Sequence, residues 1–154
     1  MSIPVPVPAP MSAAYRLMPQ PDWAATTTVA VADGSARDPE EWAGAIFSVG
    51  STPNWVKVLF GAREVVARLL RIPPGQASMF AVREVRDGEA IIDTDDRHLR
   101  FVAGVRADDR LLHVTTAVEL KGWRGQLYFL PVRFLHDQVT RSMMTTAARA
   151  YCGE

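Results

Sequence analysis

The chain has 154 residues, 48% hydrophobic and 22% charged, which is the composition of one ordinary globular domain. Lys+Arg and Asp+Glu number 17 each, so the formal net charge is zero. That excludes a general attraction to nucleic acid or anionic lipid and lowers one barrier to self-association. A single cysteine, Cys152, cannot form an intrachain disulfide, and no apolar run nears the roughly 18 residues of a membrane span. A cytoplasmic protein with neither nucleic-acid nor membrane partners is the expectation.

Residues 1–21 read as a Pro-rich N-terminal arm, and residues 22–154 as one domain. Pro4, Pro6, Pro8 and Pro10 favour an extended, polyproline-like start and would break a signal-type helix. The run from Asp22 to Ala32 is rich in Thr and Val and predicts a strand. Asp38-Pro39-Glu40-Glu41 predicts a helix start, with a capping residue, Pro at the first helical position and acids in the first turn. Trp42, Ile46, Phe47 and Val49 supply that helix's apolar positions.

Gly50 to Pro53 interrupts, and a second helix is expected from Pro53 to about Arg71 with Thr52 as its N-cap. Val56, Leu59, Phe60, Val66, Ala67 and Leu70 form its stripe, with Arg63 inside it. Ile72-Pro73-Pro74-Gly75 ends it. The second half predicts a meander. Its first strand is marked by Phe80, Val82 and Val85, and an Asp87-Gly88 turn follows. The next strands are expected around Ala90-Ile91-Ile92, over His98–Arg106, over Leu111–Leu120 and over Gln126–Leu130. Pro131 then opens a terminal helix from Val132 to about Ala150, whose stripe is Val132, Leu135, Val139, Met143 and Ala147. Consecutive hairpins make the sheet antiparallel, and its two-residue alternation calls for a helix on one face.

The chemistry-bearing residues are few. His136 adjoins the terminal helix's apolar stripe. It reads either as a core-edge histidine bonded to a carbonyl or carboxylate, or as a pocket histidine able to move a proton near neutral pH. Asp93, Asp95, Asp96 and His98 form an acidic cluster at a strand end. It reads as a turn or as carboxylates able to orient an imidazole. Arg63 reads as paired with one of those aspartates or bonded to an acidic ligand, unless its stem carries the charge to solvent. Thr115, Thr116 and Tyr128 are expected to put hydroxyls on adjacent strands. The three histidines are too scattered for a zinc signature, and Asp95, His98 and His136 lack tight metal-ligand spacing, so neither a metal nor a cofactor is expected. Nucleotide-binding loops and the Gly-x-Ser-x-Gly elbow are missing too.

Four groups of residues resemble one family in order and spacing. They are Trp55-x-x-x-Leu59-x-x-x-Arg63, Asp96-x-His98-Leu99-x-Phe101, Val114-Thr115-Thr116, and Gly125-x-x-Tyr128-x-x-Pro131-x-x-x-x-His136. They look like the bacterial domain-of-unknown-function family numbered 2867, over about Asp22 to Ala150. That family is similar to the START-like (SRPBCC) superfamily. The resemblance implies an α+β helix-grip fold: a curved antiparallel sheet around a long C-terminal helix, with two short helices after the first strand. It also implies a cavity for a small apolar or amphipathic molecule. Arg63, His98, Tyr128, His136 and Met143 are then the expected ligand contacts. A cyclase-, dehydratase- or hydrolase-like enzyme using His136 with Asp96 or Asp95 is a second reading. A homodimeric interaction module without a ligand is the third.

Overall fold

The computed structural model describes residues 11–33, 37–48, 52–71 and 80–152, without the side chains of Val56, Leu59, Phe60, Arg63, Ala67 and Cys152. Val49, the 72–79 connection and Pro4, Pro6, Pro8 and Pro10 lie outside these residues. The elements run α1 (Ala14–Leu17), β1 (Trp23–Ala30), α2 (Pro39–Ile46), α3 (Asn54–Leu69), β2 (Glu84–Arg86), β3 (Glu89–Asp95), β4 (Leu99–Ala107), β5 (Leu111–Leu120) and α4 (Gly122–Cys152). The five strands form one antiparallel sheet in the order β1-β5-β4-β3-β2.

Local chemistry accounts for most boundaries. Asp38 and Glu41 form a capping box at the start of α2, where the Glu41 carboxylate accepts the Asp38 N–H at 2.9 Å. Asp87 and Gly88 both have positive φ, 54° and 75°, as a two-residue hairpin turn requires. Asp108 closes the β4–β5 turn by accepting the N–H groups of Arg110 and Leu111 at 3.0 and 2.8 Å, which holds its carboxyl below the usual range. Thr52 does not cap α3: its hydroxyl donates back to the Ser48 carbonyl at 2.9 Å, and Pro53 takes the N-cap position.

The expected strand at Gln126–Leu130 is helix. Helix α4 begins at Gly122, whose φ of 74° turns the chain out of β5, and it runs for 31 residues with Pro131 inside it. Two physical facts decide this. Both edges of β5 are already occupied, one by β1 and the other by β4, so a strand hairpinned onto β5 has no edge to pair with. The inward positions also keep a helical period straight through Pro131: Gly125, Tyr128, Phe129, Val132, His136, Val139, Thr140, Met143, Met144, Ala147 and Ala148 are buried or half-buried. Pro131 is exposed, so the Leu127 carbonyl that loses its helical donor lies on the solvent side. Leu135, expected in the stripe, is exposed; His136 takes the inward position instead.

Each face of the sheet has its own cover. On the inner face, α2 and the C-terminal half of α4 bury Trp42, Ile46, Ala90, Val105, Leu112, Val114, Met143 and Met144 in one cluster. Tyr151 locks the two helices, with its ring edge-on to Trp42 and its hydroxyl donating to the Glu41 carbonyl at 2.9 Å. On the outer face, the short α1 buries Ala13, Ala14 and Met18 against Ile91, Val102 and Ala117. Its fastening is Glu89, which accepts hydrogen bonds from the Ser12 hydroxyl and, at 2.8 Å, from the Ala13 N–H. The free edge of β1 is tied to α4, as Thr27 donates to Asp137 at 2.8 Å and Arg141 donates to the Thr28 carbonyl at 3.0 Å. Helix α3 differs from the rest: Trp55, Val58, Val65, Val66 and Leu69 are all exposed.

Candidate functional site

Strand register sorts the inner face into cross-strand rows. Nearest the β3–β4 turn lies Thr94–Phe101–Val118–Trp23, and the next is Ile92–Ala103–Thr116–Ala25. The two rows beyond them carry Ala90, Val105, Val114 and Leu112, which α2 and the end of α4 cover. The first two rows are different. Ile92, Ala103 and Val118 are buried yet belong to neither hydrophobic cluster of the described residues.

Aromatic groups stand on both sides of those rows. On the β1 side, Trp23 meets Phe129 edge-on at 5.2 Å and His136 edge-on at 4.8 Å. On the β4 side, Phe101 meets Phe80 at 5.8 Å, and Phe80 stacks on Phe47 at 5.0 Å. Between them the side chains are short, namely Ala25, Ala103 and Thr116. A strip of small residues between aromatic walls, with a few polar groups turned toward it, is the composition of a small-molecule site.

His136 is the titratable group of this region. Burial pushes its imidazole pKa below the ordinary value, and the neighbouring Asp137 only partly opposes that. Its Nδ1 lies 3.5 Å from the Thr140 hydroxyl, at the outer limit of a hydrogen bond. The folded state therefore disfavours the imidazolium that the unfolded chain forms freely. The stabilisation from the neutral ring is complete above the ordinary imidazole pKa of about 6.5 and is lost as pH falls below it. Urea melts at neutral and mildly acidic pH should show a shallower acid loss in His136→Phe than in wild type. Identical pH slopes would mean that His136 is solvated in both states.

The other expected contacts part company. Tyr128 is buried on the same helix, one residue from Phe129. Met143 is buried in the core cluster with Trp42 and Ile46. His98 is buried at the β3–β4 turn, where its carbonyl accepts the Lys121 N–H at 2.8 Å. The Arg63 side chain lies outside the described residues, but the acids proposed for it have other partners. Asp93 takes Arg100 in a two-pronged contact at 3.1 and 2.8 Å, which raises the guanidinium's pKa. Asp95 pairs with Lys121, and Asp96 accepts the Arg97 N–H at 2.6 Å.

The anticipated pairing of His136 with Asp95 or Asp96 is not made, because Asp95 is on the opposite face of the sheet and Asp96 caps a turn. Asp137, beside His136 in sequence, is committed to Thr27. A hydroxyl–imidazole–carboxylate series does occur elsewhere. Thr28 lies 3.0 Å from His113 Nδ1, and Asp108 lies 3.7 Å from Nε2. It runs along the outer face as a cross-strand pair and a turn acid.

Among the described residues no group of three His, Cys, Asp or Glu is placed to hold a metal ion. None of the described helices is long and apolar enough to cross a membrane. A groove of about 440 Å³ on the outer face is lined by Leu17, Met18, Pro19, Gln20, Arg100 and Glu119. Sequence reasoning missed Trp23, Phe129 and Glu89. Trp23 and Phe129 form one aromatic wall, and Glu89 carries no pattern signal because its role depends on a partner 77 residues away.

An antiparallel sheet closed on one face by a long terminal helix, with two helices inserted after its first strand, defines an α+β protein of helix-grip-like build. Residues 17–143 match the model of the family described as Protein of unknown function (DUF2867), and the chain belongs to that family. No curated protein and no solved structure matches it.

Proposed function

We propose that this is a START-like, helix-grip domain that binds a small apolar or amphipathic molecule in the cytoplasm. The observation that carries the reading is the Ala25–Ala103–Thr116 strip between the Trp23–Phe129–His136 and Phe101–Phe80–Phe47 walls. Apolar side chains take the body of the guest. His136, whose burial favours the neutral ring and whose Nδ1 is only weakly bonded to Thr140, fixes a polar end, and Tyr128, two turns earlier on the same helix, is the second candidate contact. The enzyme reading loses its dyad, since neither aspartate reaches His136.

Thermal shift and native mass spectrometry against a panel of fatty acids, sterols and aromatic metabolites test this. A ligand at a hundred times its Kd should raise Tm by about 5–10 °C. Ala103→Leu, which fills the strip, should abolish that rise while the free protein still melts cooperatively. A panel without a single binder, or a ligand that Ala103→Leu binds as well as wild type, would sink the proposal.

A further inference from the structure

The outward side of α4 is as unusual as its inward side. Trp123, Leu127, Leu130 and Phe134 recur at spacings of four, three and four, so they line one stripe. All four are exposed, Trp123 at 64% and Phe134 at 72%. The guanidinium of Arg124 lies 5.3 Å from the Trp123 ring, and that of Arg133 lies 5.5 Å from the Phe134 ring. From Gly122 to His136 the chain has two arginines and no acid. Helix α3 repeats the composition, with three cations and one acid beside the exposed residues named above. Single exposed apolar side chains need no explanation; a continuous apolar and cationic stripe does.

We propose that this face of α4 docks on an anionic lipid surface. Its charge decides against a second copy. A two-fold pairing of the stripe would set arginines against arginines, and Asp137, the acid that follows the stripe, is already bonded to Thr27 and Arg141. Two features favour a bilayer over an acidic helix from another protein. Aromatic rings paired with arginines suit the level of lipid headgroups, where rings enter the apolar boundary and guanidinium groups meet phosphate. Pro131 also leaves the Leu127 carbonyl without its helical donor inside the stripe. Headgroup water can satisfy that carbonyl, whereas a dry protein interface would have to supply a matching donor.

The summed charge of zero hides this face. It averages α3 and α4 with acidic hairpin turns at Asp87, Asp95 and Asp108, and the expectation of no membrane partner was drawn from that sum. The inference is independent of the ligand reading.

Sedimentation of the full chain with vesicles tests it, using equimolar phosphatidylglycerol–phosphatidylcholine against pure phosphatidylcholine. The expected result is at least about tenfold stronger partitioning onto the anionic vesicles, reversed by high salt, with a blue shift in tryptophan emission that Trp123→Ala diminishes. Arg124→Glu/Arg133→Glu and Leu130→Glu/Phe134→Glu should each reduce partitioning about tenfold or more while circular dichroism and Tm stay near wild type. Ala103→Leu should partition like wild type, which separates surface docking from uptake of lipid into the interior. Folded protein that ignores anionic vesicles overturns the proposal, as does equal binding to neutral ones or unchanged binding by the charge-reversed variant. A light-scattering dimer that Leu130→Glu/Phe134→Glu dissolves would assign the stripe to a second copy instead.

Discussion

Gly104→Ala should lower the unfolding free energy by about 2–4 kcal/mol. A Cβ on Gly104 would lie 1.9 Å from Glu89 Oε1 and 2.9 Å from Ser12 Oγ. The carboxylate cannot simply step aside. Glu89 is only 4% exposed, and it holds the Ser12 hydroxyl and the Ala13 N–H that fasten α1 to the outer face. Moving it means either overpacking the sheet or leaving a buried charge without its donors. Urea melts of Gly104→Ala, Glu89→Ala and the double variant test the cause. Glu89→Ala alone should also be destabilising, since α1 loses both bonds. The double variant should be little worse than Glu89→Ala, because the clash disappears with the carboxylate. Fully additive losses would show that Gly104 matters for some reason other than Glu89.

Gly125→Ala should cost a further kind of stability, again about 2–4 kcal/mol, although glycine-to-alanine inside a helix ordinarily gains about 1 kcal/mol. Here the new methyl would sit 2.1 Å from the His98 carbonyl oxygen. That atom is backbone, and it already accepts the Lys121 N–H, so no rotamer change relieves the contact. The first turn of α4 would have to lift off the β3–β4 turn. Phe129 lies one turn further along, so the Trp23–Phe129 contact should loosen and any ligand held by that wall should bind more weakly. Denaturant melts together with tryptophan fluorescence read both effects. A variant more stable than wild type would mean that α4 begins clear of His98.

Much of the fold was legible wherever the signal is local. The Asp38-Pro39 start of α2, the Asp87-Gly88 turn and the span of β5 follow from side chains that act on backbone within a few residues. Reading failed where two local preferences were equal. Gln126–Leu130 is a short apolar run that suits strand or helix, and Pro131 looked like a boundary. The missing edge on β5 settled it, and no residue in 126–130 encodes that fact. Within the site, periodicity was enough to place His136 inward and Met143 in the core. Partners could not be read, because pairing depends on which face of the sheet a strand residue takes. Asp93 went to Arg100, and Asp95, although Arg100 is its cross-strand partner, went to Lys121.

By itself, then, the sequence determined the order of most elements, the antiparallel sheet, the inward histidine and the family. These rest on period, turn chemistry and spacing, which the chain carries along its length. Only tertiary structure decided that Gly104 is a socket for a carboxylate, that small residues on three strands fall between two aromatic walls, and that a neutral chain has a cationic, apolar flank. Each of these is a relation between residues far apart in sequence, set by strand register and by which side of a helix the sheet leaves uncovered.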